Sequence, residues 1–94
     1  SAAFAANDQT ACGAMLALHR CGLKVPDDVS LIGFDDLAAS AFTVPPLTTV
    51  HRSIDEIGEG AAEAIVDLIE RRVPRARVSS PTLAIRESTR PLHG

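Results

Sequence analysis

Three short polar clusters each follow an apolar run: Asn7-Asp8 after AAFAA, Asp35-Asp36 after VSLIGF, and His51-Arg52-Ser53 after LTTV. A carboxylate accepts hydrogen bonds, a carboxamide gives and accepts them, and a guanidinium donates in a planar fork. That set suits a polyhydroxylated or heterocyclic small molecule. In open α/β sheets ligands bind outside the carboxyl ends of the strands, so parallel neighbouring strands would bring the three clusters to one rim. Phe34 and Phe42 can add apolar contact there. Each polar residue also has a plainer assignment. Asn7 and Asp8 are candidate helix caps, Asp36 a cap at Leu37, and Asp35 the start of a turn. Arg52 can be a solvated loop residue, His19 and His93 surface residues, and Met15 part of the core.

No catalytic set emerges from these residues. Asp35 and Asp36, read as neighbours on an extended chain, point to opposite sides, which is poor geometry for joint acid and base work. The sequence holds no GxSxG, GxGxxG or phosphate loop. Gly58 and Gly60 fall inside a helical pattern. Cys12 and Cys21 lie nine apart in one predicted helix, on opposite faces, so they cannot bridge each other. There is no CxxC, and the histidines are scattered. Neither an enzyme, a cofactor nor a metal site is expected.

The elements that must position the polar clusters can be read in order. Residues 2–6 suggest a short buried strand. Asn7 or Asp8 opens a helix, QTACGAMLALHRC, that is apolar almost all round and so needs cover on two sides. Gly22 suits its left-handed end, and Pro26 forbids continuation. Val29 to Phe34 reads as a central parallel strand covered on both faces. Residues 37–42 suggest one or two helical turns, and Leu47 to Val50 another strand. Ser53 and Glu56 form a capping box. The helix behind it runs to about Arg72, with Ile54, Ile57, Ala61, Ala64, Ile65, Leu68 and Ile69 on one face. Asp67 and Arg71 stand at ion-pair spacing, and Pro74 ends the helix. A polar loop over 75–81 leads to a last strand, Thr82 to Arg86, and a tail expected to fray from Glu87. This alternation predicts an α/β fold with a mainly parallel sheet that looks unfinished.

Composition bounds the function. The chain has 94 residues, no Trp or Tyr and three Phe, so its core is thin and further stability must come from other sequence or a partner. Net charge is −3. The densest basic stretch, Arg71, Arg72, Arg75 and Arg77, reads as a solvated helix end. A chain that grips nucleic acid carries a basic stripe, so this segment is not expected to contact DNA itself. No apolar run approaches the ~20 residues of a membrane span. The unpaired cysteines favour the cytoplasm, while the apolar start leaves a removed leader open.

The string AxNDxxAxG…GxxVPxDVSxxGFDD…PPLTTV, followed by Ile57-Gly58-Glu59 and by Arg86 to Thr89, resembles the C-terminal part of LacI/GalR-type transcription regulators, from about Phe4 to Arg90. The resemblance implies a periplasmic-binding-protein-like, three-layer α/β sandwich, of which this chain is a fragment, with two subdomains around an effector. It implies that residues 1–50 belong to the C-terminal subdomain, 51–79 to the hinge crossover and a helix of the N-terminal subdomain, and 80–94 to the returning strand and tail. By the same resemblance Asn7, Asp35 and Arg52 contact a sugar- or nucleoside-like effector, with Phe34 beside them. Ile54 stands where some members stack an aromatic ring, which it cannot do. Cys12 and Met15 lie on a helix that resembles a homodimer surface. Operator DNA would be read by a domain outside this sequence. The competing expectation is the solute-binding protein of a sugar transporter; a hydrolase-like enzyme has no nucleophile–base set to support it.

Overall fold

A computed structural model describes residues 1–74 and 80–92. Arg75, Arg77, most of the expected 75–81 loop and His93 lie outside the described residues. The chain forms two compact units: residues 1–51 with 82–94, and residues 52–81.

The first unit is built on a four-stranded sheet in the order β1-β2-β3-β4. Strands β1 (Ala2–Phe4), β2 (Ser30–Asp35) and β3 (Thr48–His51) run parallel, with Ala2 opposite Ser30 and Ile32 opposite Thr48. Strand β4 (Thr82–Ala84) pairs antiparallel with β3, Thr49 opposite Ala84. The sheet is therefore mixed. Helix α1 (Asp8–Arg20) packs on β2, and a 3-10 turn spans Ala38–Ala41.

Local chemistry explains the boundaries. Asn7 caps α1 by accepting from the Thr10 N–H at 2.8 Å. At the other end Gly22 takes φ +76, its N–H reaches the His19 carbonyl, and the Leu23 N–H reaches that of Leu18. This paired closure is the Schellman arrangement, for which glycine is the least strained residue. The core is as thin as composition implied: Ala5, Ala11, Leu31 and Leu47, with Ala14, Met15 and Val25 against them.

One expectation about cover needs correction. Residues Ala2–Phe4 are exposed, because β1 is the sheet's edge strand. Within this unit helix α1 buries only Asp8 and Ala11 against the sheet and leaves Cys12 and Leu16 exposed, which keeps its outer side open to the second cover expected of it. The tail also departs from the fraying expected of it. Ser88 is fully buried; its Oγ donates to the Leu31 carbonyl at 2.5 Å and accepts from the Thr48 N–H at 2.8 Å.

The second unit contains α2 (Ile54–Ile69). Ser53 caps it, accepting from the Glu56 N–H at 3.2 Å. The helix ends before Pro74 and before Arg72. Arg71 takes φ +59, its N–H reaches the Leu68 carbonyl, and the Arg72 N–H reaches that of Asp67. Arg71 thus occupies the left-handed position that glycine fills after α1. It does not make the expected ion pair; Arg72 instead meets Asp67 and Glu70. The apolar face foreseen on α2 is exposed, Ile65 at 58% and Ile69 at 75%.

Candidate functional site

The carboxyl ends of β1, β2 and β3 share one edge of the sheet, because the three strands are parallel neighbours. Asn7 follows the first, Asp35 ends the second, and His51 ends the third. Phe34 is half-buried beside Asp35. Arg52 and Ile54 open the second unit, and both are exposed.

Asp35 and Asp36 are not on extended backbone. Their φ values are +107 and +55. Non-glycine residues in this region cost about 1–3 kcal/mol each and persist only where their surroundings over-determine them. The two neighbouring carboxylates then meet opposite fates. Asp36 is fully engaged: one oxygen accepts from Arg86 Nη2 at 2.7 Å and the other meets His51 Nδ1 at 2.9 Å. Burial pushes the Asp36 carboxyl up, but the Arg86 hydrogen bond and charge, and then those of His51, outweigh it and hold the group below the usual carboxylate range. Arg86 is fixed in turn by donating to the Leu47 carbonyl at 2.8 Å. Among the described residues no side-chain hydrogen bond engages the Asp35 carboxylate, which leaves it available to a ligand. Asn7 commits its oxygen to the cap, so its NH₂ end is the one left to donate.

Asp36 does not cap Leu37, as sequence had suggested, and Asp8 is not the helix cap. The Leu37 N–H donates to Asp8 Oδ2 at 2.8 Å. Asp8 also accepts from Ser40 Oγ and from Thr49 Oγ1, each at 2.5 Å. The roles of Asp8, Thr49 and Arg86 were missed in the sequence. One signal was present: Asp8 shares the spacing of Ala11 and Met15, which places a carboxylate on the buried face of α1.

Residues 1–89 match the family described as a periplasmic binding protein-like domain. The PurR-type HTH transcriptional repressor of Histophilus somni is 40% identical over 94 residues, covering 98% of this chain and 28% of that protein. Among solved structures, a dimeric Lac repressor superposes with a TM-score of 0.81 at 32% identity, over 94% of this chain and 33% of that one. A LacI family transcriptional regulator from Enterococcus faecium with bound ribose superposes with a TM-score of 0.79 at 31% identity, over 98% of this chain and 35% of that one. The chain thus spans about a third or less of its relatives' length. These relatives are transcription regulators, which disfavours the transporter reading. The chain belongs to the periplasmic binding protein-like domain family, in the form carried by LacI-type transcription regulators.

Proposed function

We propose that this chain supplies one wall of the effector cleft in a LacI-type repressor, for a sugar- or nucleoside-like ligand. The observation that carries the reading is the unengaged Asp35 carboxylate, held on strained backbone beside a neighbouring carboxylate that is fully committed. Strain of this kind concentrates at ligand clamps. The ribose bound to the Enterococcus relative supports a polyhydroxylated ligand class.

In this account Asn7, Asp35 and Arg52 give the polar contacts, with Phe34 and Ile54 as apolar ones. Residues 1–50 belong to one subdomain, 51–79 to the crossover and a helix of the other, and 80–94 to the returning strand and tail. The exposed apolar face of α2 docks on that second subdomain. Helix α1, through the side bearing Cys12 and Met15, pairs with a second copy. An effector that prefers one cleft state shifts the population toward it by its differential affinity. Subunit geometry then alters the spacing of two DNA-reading heads carried elsewhere in the protein, in the cytoplasm.

Calorimetry on the complete regulator tests this. Loss of a hydrogen bond to a charged group weakens binding by about 1.5–3 kcal/mol, so Asp35→Ala should reduce D-ribose affinity about tenfold or more. Unchanged affinity would remove Asp35 from the site.

A further inference from the structure

We infer that Asp8 is a positioning residue for the rim: acting through Thr49, it holds the left-handed turn that presents Asp35. The inference rests on the effector reading of that rim. Asp8 is 1% exposed and sits in the first turn of α1, one residue from Asn7. Its two oxygens gather three donors from two other stretches of chain. Oδ2 takes the Leu37 N–H and the Ser40 hydroxyl; Oδ1 takes the Thr49 hydroxyl. Thr49 is fully buried, and its Oγ1 in turn accepts the Asp36 N–H at 3.3 Å. The backbone N–H groups of Asp36 and Leu37 therefore both end on Asp8, one directly and one through a hydroxyl relay. These are the two amides that follow Asp35. Fixing them fixes the turn on which Asp35 and Asp36 take positive φ.

The neighbouring chain leaves room for this arrangement. Gly33, the second residue before Asp35, is buried, and a Cβ there would run into the Asp8 carboxylate. Asp8 itself is buried at the start of α1, and both of its carboxylate oxygens are turned inward to protein donors, so its action on a ligand is indirect. Removing the Thr49 hydroxyl leaves an Asp8 oxygen and the Asp36 N–H without partners, which releases the turn. A ligand group must be held within about 0.5 Å of its working geometry.

The test is calorimetry of the complete regulator with D-ribose, D-glucose and adenosine, alongside thermal melting. Wild type is compared with Asp35→Ala, Asp8→Asn, Thr49→Val, Thr49→Ser and Leu31→Val. Thr49→Val should lose about tenfold in affinity, the low end for a residue that orients a ligating group, and Asp8→Asn should lose at least as much. Thr49→Ser, which keeps the hydroxyl but loses a buried methyl, should bind within about twofold of wild type despite a lower melting temperature. Leu31→Val, in the core away from the rim, should likewise melt lower and bind normally. Normal binding by Thr49→Val, or affinities that follow melting temperature across the set, would overturn the inference and leave the rim intact as a site. Normal binding by Asp35→Ala, or no binding of any probe by wild type, would overturn the effector reading and this inference with it.

Discussion

Asp35 and Asp36 are the same residue type in adjacent positions, yet one is spent on structure and the other is left for a partner. The difference lies in what reaches each carboxylate across the fold. Asp36 receives Arg86 from beyond β4 and His51 from the end of β3. Because its carboxyl is held below the usual range, Asp36 adds stability that is fully present above the ordinary carboxylate value of about 3.9 and is lost as pH falls through its depressed native value. Arg86→Met removes both the charge and the hydrogen bond to Leu47. It should cost about 2 kcal/mol at pH 7 and make the fall in stability toward acid shallower, read by denaturant titration at pH 7 and pH 3. An identical acid dependence in the variant would show that Arg86 does not set Asp36. At this scale the sequence disclosed which residues were candidates but not their partners. Asp8 binds groups 29, 32 and 41 positions away, and Arg86 binds one 50 positions away. Such pairings follow from strand register, which residue type and spacing alone do not encode.

Elements were more legible, because caps and periodicity act over a few residues. The Asn7 and Ser53 caps, the Gly22 closure and the helix–strand alternation all follow from local chemistry. Local chemistry misleads where tertiary context overrides it. The stretch from Glu87 is polar and reads as a loose tail, but the Ser88 hydroxyl stitches β2 to the start of β3. Ser88→Ala would strand the Leu31 carbonyl and the Thr48 N–H. It should destabilise the fold by about 2 kcal/mol or more, visible as a lower urea midpoint with an unchanged slope. A midpoint within experimental error of wild type would mean that the tail is dispensable. The end of α2 carries a similar lesson: Arg71 turns left-handed to close the helix, which moves the ion pair on to Arg72.

For the whole molecule, the exposed apolar residues set the expectation. Among the described residues the buried apolar core is four side chains, against which Phe4, Leu16, Ile65, Leu68 and Ile69 are exposed. Ile65, Leu68 and Ile69 stand three and four apart on α2 and so share one helix face, and a grouped, exposed apolar face marks a surface meant for another surface. Light scattering of the 94-residue chain should therefore report dimers or larger species. A stable monomer across concentration would contradict that claim. The sheet class and the unfinished look of the fold were readable from the order of elements. The antiparallel last strand and the exposure of β1 were not, since both depend on which strands become neighbours. Effector sensing by this chain requires that the tip of β2 touch the ligand. A crystal structure of the complete sensing core with its effector bound tests that most directly. It should place an Asp35 carboxylate oxygen within about 3.2 Å of a ligand donor, with Asp36 still held by Arg86 and His51. An effector seated elsewhere, with Asp35 turned to solvent, would contradict the account.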